Sequence, residues 1–154
     1  MPEARSYVLV DANTGDVLAG YHERVRAPPA SLTKVLTALI AVGYLTPRQS
    51  VAGTAISESA YPNRVGMEKG VGWPLGEVLA SLLVYSANDA AYALAQRVGG
   101  SLAGFVPIMQ LAARQMGMAD HPVLRDPAGL DGSEGFRGGN LVSARDLAVA
   151  AATC

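Results

Sequence analysis

Two short stretches of this chain carry side chains at a spacing that can do chemistry. Ser31 and Lys34 stand three apart in the run Pro28-Pro29-Ala30-Ser31-Leu32-Thr33-Lys34. On a helix that spacing puts both on one face. The lysine amine then reaches the serine hydroxyl and can take its proton, which makes a nucleophile without histidine. The second stretch is Ser86-Ala87-Asn88. A serine there can relay a proton between a lysine and a leaving group. The asparagine amide can hold the lysine and accept from a substrate peptide N–H. Each stretch also has a plainer reading. Ser31 and Lys34 fit a helix-start serine followed one turn later by a surface lysine. Ser86 or Asn88 fits the N-cap of a following helix.

The elements around these residues favour the chemical reading. Pro28-Pro29 ends an extended approach, and residues 31–42 predict a helix that is apolar on most faces, with Val35, Leu36, Leu39, Ile40 and Val42. Such a helix is central and buried. A lysine on it is desolvated, which lowers its pKa and enriches the neutral amine that a base needs. Upstream, residues 6–11 and 17–21 predict two strands joined by the turn Asn13-Thr14-Gly15-Asp16, a hairpin. The continuous apolar run Tyr7-Val8-Leu9-Val10 predicts cover on both faces. No further strand is evident, and residues 48–72, rich in Gly, Ser and Pro, read as irregular. Helices are predicted over 75–84 after Pro74, over 89–98 up to Gly99-Gly100, and over 102–116, the last interrupted or delayed by Pro107. Residues 119–140 read as loop. Ser143-Ala144-Arg145-Asp146 resembles a capping box ahead of a final helix in which the chain stops.

Composition narrows the function classes. The 154 residues are 50% hydrophobic and 16% charged, enough for one domain with a real core and unlike a disordered chain. The net charge of −1 offers no basic footprint for nucleic acid. His22 and His121 have no Cys or His companions at ligand spacing, so no metal is expected, and both read as surface or loop residues. Cys154 is the only cysteine and forms no disulfide within the chain. No apolar stretch reaches the roughly 20 residues of a membrane span. Residues 1–5 lead into the first strand without the apolar core of a signal peptide. Neither Gly-x-Gly-x-x-Gly nor a P-loop occurs, so no nucleotide cofactor is implied.

With Ser-x-x-Lys and Ser-x-Asn in this order, the chain resembles the serine penicillin-recognising enzymes, whose third motif is Lys-Thr-Gly. Within them it is most similar to the low-molecular-mass D-alanyl-D-alanine carboxypeptidases, of the peptidase S11 type. Residues 7–15 resemble their first strand and turn, 30–38 their nucleophile helix, and 82–91 their second motif with its flanks. Phe105-Val106, Met109, Ala112 and Gly117-Met118 resemble the next helix; residues 126–131 and 143–148 resemble the segments after it. The resemblance implies an α/β (α+β) fold of the β-lactamase/transpeptidase type: an N-terminal hairpin, a mainly helical region, and C-terminal sheet strands that are missing here. It implies roles by position: Ser31 the acylated nucleophile, Lys34 its general base, Ser86 the proton relay, Asn88 the substrate-amide contact, and the Ser31 N–H one arm of the oxyanion hole.

The implied substrate is a peptidoglycan stem peptide ending in D-Ala-D-Ala. β-Lactams would acylate the same serine, no cofactor would be needed, and the location would be extracytoplasmic. Neither Lys34 nor Lys69 is followed by Thr-Gly. Residues 1–154 therefore read as a partial domain without one wall of its cleft. Losing one oxyanion donor alone costs on the order of 10²–10³ in rate. The expectation is weak or absent peptidase activity and a strand edge open to self-association. Two other readings stand beside this one. A serine β-lactamase would add a deacylating glutamate, for which Glu134 is the only nearby candidate, in a context unlike that motif. A non-catalytic fragment would bind peptidoglycan or a partner chain without turnover.

Overall fold

The computed structural model describes residues 4–132 and 138–153. The chain opens with β1 (Tyr7–Val10) and β2 (Val17–Tyr21), passes through a 3-10 turn (Ala30–Leu32) and runs directly into α1 (Thr33–Tyr44). A second strand pair, β3 (Ser50–Ala52) and β4 (Gly72–Pro74), brackets the short α2 (Ala55–Glu58). Then come α3 (Leu75–Leu83), α4 (Asn88–Gly99), α5 (Leu102–Gln115) and α6 (Ala144–Ala151).

Helices α1 and α4 form the centre. α1 packs against α3, α4, α5 and α6, and α4 against α1, α2, α3 and α5. The sequence of α4 explains its position: Ala90, Ala91, Ala93 and Ala95 are all fully buried, and small side chains let several helices approach one backbone. Leu94 of α4, Leu82 of α3, and Phe105 and Met109 of α5 are also fully buried. Burying each contributes about 1.5–3 kcal/mol. α5 runs unbroken through Pro107, contrary to the predicted interruption. Leu102, Phe105, Met109 and Ala113 pin one face of it to the core, while Pro107 is exposed. Water can satisfy the carbonyl that proline leaves without a donor.

The β structure departs further from expectation. β1 and β2 pair antiparallel, Tyr7 with Tyr21 and Leu9 with Ala19, with an irregularity before Val10. The turn is built on Asp11, whose Oδ1 accepts from the N–H groups of Asn13 and Thr14. Only α6 packs on β1, and every residue of β2 is exposed, so the predicted two-sided cover is not present among the described residues. The segment read as irregular, residues 48–72, contains β3, α2 and the start of β4. Val51 pairs with Trp73 in a separate two-stranded sheet that does not extend the hairpin. Three-residue strands are too short to show an alternation.

α6 ends at Ala151 and is capped at Ala152, before the chain stops. Its Ser143 accepts from the Asp146 N–H at 3.0 Å, as predicted. The reciprocal half of the box is diverted, because the Asp146 carboxylate accepts instead from the Asp120 N–H at 3.2 Å. Burial is the main cause holding the Asp146 carboxyl above its ordinary range. His22 and His121 are both exposed, as expected.

Candidate active site

Ser31 lies in the 3-10 turn and Lys34 in the first turn of α1. Neither start of this helical stretch carries a side-chain cap. The amine Nζ of Lys34 donates to Ser31 Oγ at 3.0 Å and to the Ala128 carbonyl at 2.9 Å. The lysine is only 2% exposed. Burial lowers its pKa from 10.5 to about 8, against the pull of the Asp126 carboxylate in the opposite direction. A buried amine with a pKa near the working pH, hydrogen-bonded to a hydroxyl, is the arrangement a general base requires.

The link between α3 and α4 brings Ser86 to the same place. Ser31, Lys34 and Ser86 line one open cleft of about 530 Å³, together with Val35, Leu82 and Leu83. Ser86 has φ +62°, left-handed for a residue with a side chain. Such a backbone costs of order 1–3 kcal/mol and is kept only where the surroundings enforce it. Among the described residues its Oγ is the one buried side-chain polar atom without a hydrogen-bond partner. A buried hydroxyl left unpaired costs about 1–3 kcal/mol, which favours a ligand that would pair with it.

The capping alternative for these residues fails. The N-cap of α4 is Ala87, with no side-chain cap bond. Asn88 begins the helix, is 3% exposed, and donates its backbone N–H to the Asn63 carbonyl at 2.7 Å. It is not among the residues that line the cleft with Ser31, Lys34 and Ser86. Next to it, the buried Asp89 carboxylate accepts from the N–H groups of Val65, Gly66 and Met67, tying that loop to the start of α4. Glu134 lies outside the described residues.

A layer behind the Ser–Lys pair has no counterpart in the motif reading. Asp126 Oδ1 accepts from the N–H groups of Ala128, Gly129 and Leu130, and its Oδ2 accepts from the Tyr92 hydroxyl at 2.8 Å. Tyr92 is kept a protonated donor because burial first, and then the adjacent Asp126 carboxylate, raise its pKa. Asn140 Oδ1 accepts from the Arg125 and Asp126 N–H groups, while its Nδ2 donates to Thr33 Oγ1 at 3.0 Å. Thr37 donates to the Pro127 carbonyl at 2.7 Å. Gly129, at φ +80°, lies so close to the turn carrying Ser31 that a Cβ would overlap the Ala30 carbonyl oxygen. One local signal marks this layer: Asp126-Pro127-Ala128-Gly129 is turn chemistry. Tyr92 and Asn140 carry none.

Three comparisons with known proteins agree. The family model described as D-alanyl-D-alanine carboxypeptidase matches residues 2–154. The D-alanyl-D-alanine carboxypeptidase DacB2 of Mycobacterium tuberculosis is 34% identical over 146 residues, 95% of this chain and 48% of that protein. DacF of Bacillus subtilis is 30% identical over 97% of this chain and 38% of its own length. The crystal structure of a D-alanyl-D-alanine carboxypeptidase from M. tuberculosis superposes with a TM-score of 0.89 at 33% identity, over 97% of this chain and 55% of that one. The chain thus spans about half or less of the length of the curated relatives it matches. It belongs to the D-alanyl-D-alanine carboxypeptidase family of serine hydrolases.

Proposed function

We propose that this chain carries the acylation machinery of a serine-type D-Ala-D-Ala carboxypeptidase that trims peptidoglycan stem peptides. The observation that carries the reading is the 3.0 Å contact between the buried Lys34 amine and Ser31 Oγ. Neutral Lys34 removes the Ser31 proton as Oγ attacks the carbonyl carbon of the penultimate D-alanine. The oxyanion is held by the Ser31 N–H, and Asn88, buried at the start of α4 outside the cleft lining, contacts the substrate amide once its side chain turns toward Ser86. Collapse breaks the peptide bond, and the proton passes from the Lys34 ammonium through the Ser86 hydroxyl to the leaving D-alanine amine. Water then hydrolyses the ester and restores Ser31. The orphaned Ser86 Oγ and its position in the cleft beside Lys34 support the relay.

Residues 1–154 act in this reading as the N-terminal part of one transpeptidase-like domain, outside the cytoplasm. The Lys-Thr-Gly wall, which would bind the substrate carboxylate and complete the oxyanion hole, is not in this sequence. Turnover by these residues alone is therefore weak or absent, whereas β-lactam acylation needs the nucleophile above all. β-Lactam acylation uses the same oxyanion hole and is slowed as well, but a stable adduct accumulates with time and needs no turnover. That same gap favours the second reading, a fragment that binds peptidoglycan or a partner without turnover.

Labelled penicillin with intact-mass measurement separates the two. The expected result is an adduct on the unmutated chain, long-lived as in a carboxypeptidase, and none on Ser31→Ala. An unmodified parent chain would overturn the nucleophile assignment and leave the binding reading. Rapid hydrolysis of the adduct would instead indicate β-lactamase behaviour.

A further inference from the structure

Asp126 belongs to no motif of the reaction, yet the geometry behind Lys34 converges on it. One carboxylate oxygen gathers three consecutive-loop N–H groups, those of Ala128, Gly129 and Leu130. That turn aims the Ala128 carbonyl at the Lys34 amine. The other oxygen is pinned by the Tyr92 hydroxyl from α4. The carboxylate is fully buried, so its charge acts on its neighbours with little screening by water. We propose that Asp126 is the positioning residue of the Ser31–Lys34 pair, folding residues 126–130 into the bracket that fixes the Lys34 amine and supplying the negative charge that faces it. This rests on the reading of Ser31 and Lys34 as the acylation pair.

The groups around α1 leave this role to Asp126. Of the ionisable side chains on the elements packed there, Asp126 is the one whose charge bears on Lys34, and it favours the ammonium. Asp89 of α4 is turned to the 65–67 amides. Tyr92 of α4 faces Asp126 and not the amine. Glu77 of α3, Arg97 of α4 and Arg114 of α5 are exposed. Asp146 of α6 is engaged with Asp120, and Arg145 is in the first turn of that helix, its N–H donating to the Glu23 carbonyl. Burial and Asp126 therefore oppose each other at Lys34. Burial creates the neutral base, and the carboxylate keeps the ammonium affordable once the serine proton arrives.

The chain has only two lysines, Lys34 and Lys69. Labelling the full chain with [13Cε]lysine gives two resonances, assigned with Lys69→Arg, and their pH titrations are read by NMR. The Lys34 midpoint is expected near 8 in the parent. Asp126→Asn keeps an oxygen for the three N–H groups but removes the charge, so the midpoint falls, by about one pH unit. Tyr92→Phe keeps the charge but removes the hydroxyl that disperses it and pins the turn. The exposed carboxylate field and added water both favour the ammonium, so the midpoint rises.

A residue with a merely structural role would loosen the site in both variants and raise both midpoints. A folded Asp126→Asn whose midpoint is unchanged or raised overturns the proposal. If that variant does not fold, Asp126→Ser, which also keeps an acceptor oxygen and removes the charge, takes its place, and an unchanged or raised midpoint there overturns the proposal; Tyr92→Phe is the control that keeps the charge. The resonance reports on Lys34 whether or not Ser31 acylates, so a missing penicillin adduct would remove the catalytic reading and leave this result standing.

Discussion

On one face of α1, Thr33, Lys34 and Thr37 are buried and each is hydrogen-bonded to the segment from Asp126 to Asn140. On another face, Val35, Leu39 and Val42, spaced as a helical stripe, line an open apolar groove of about 380 Å³ with Leu79 and Leu83 of α3. The hairpin repeats the second pattern, with Leu9 and Leu18 in solvent. The two regions obey different constraints. A buried polar group without a partner costs about 1–3 kcal/mol, so a polar layer folds only if nearly every member is satisfied at once. Apolar surface tolerates exposure at the cost of a tendency to associate. The Ser31–Lys34 pair is therefore held in place from within these residues, while the described residues leave the groove and β2 uncovered. Ser86 Oγ is the exception in the polar region, and it is the atom that faces the cleft.

The largest effect that tests this contrast comes from the charge buried in the polar layer. An unfolded lysine holds its proton up to 10.5, whereas folded Lys34 releases it at about 8. Between those values the unfolded state binds more protons, so the stability contributed by this group rises with pH and is lost as pH falls through the folded value. The full change is at most roughly 3 kcal/mol, and less where solvent at the cleft mouth screens the charge. Denaturant titrations across that window should show the rise in the parent and a flatter profile in Lys34→Met. Parallel profiles would mean that the lysine is hydrated and the polar layer is not closed.

A somewhat smaller loss is expected from the contact between the two loops. Gly129→Ala adds a Cβ where the Ala30 carbonyl already lies, at a φ that favours glycine. The expected destabilisation is about 2 kcal/mol or more in chemical denaturation, with a matching loss of penicillin acylation because the turn carrying Ser31 must shift. A variant that keeps both stability and acylation would show that residues 126–130 do not set the turn carrying Ser31.

The same contrast explains what was legible in the sequence. The hairpin, α1 and α3 to α5 carry continuous apolar runs or helical periodicity, and they fold close to expectation. Ser31 and Lys34 meet because three-residue spacing on a helix permits little else. β3 and β4 were hidden because each is three residues long and gains its structure from a partner distant in sequence. The polar layer was hidden for a related reason. Asn140 reaches Thr33, and Tyr92 reaches Asp126, only once the chain has folded back on α1. The diverted cap at Ser143 is similar: the pattern named the serine correctly, but a tertiary partner, Asp120, took the other half.

The smallest effect on stability belongs to the exposed region and sharpens the comparison by its sign. Leu18, near the start of β2, is 62% exposed, and among the described residues β2 is paired on one side only, with β1. Substituting it removes no buried contact, so Leu18→Lys should change unfolding free energy by no more than about 0.5 kcal/mol. Its consequence should appear in association instead. An apolar strand with an unpaired edge is a template for pairing with another chain, and a lysine there opposes that pairing by charge. Sedimentation or light scattering over a concentration series should show the parent chain associating and Leu18→Lys remaining smaller at equal concentration. Equal behaviour would mean that the hairpin edge does not drive association. A large loss of stability would mean that β2 is covered in solution, which would remove the distinction between the two regions.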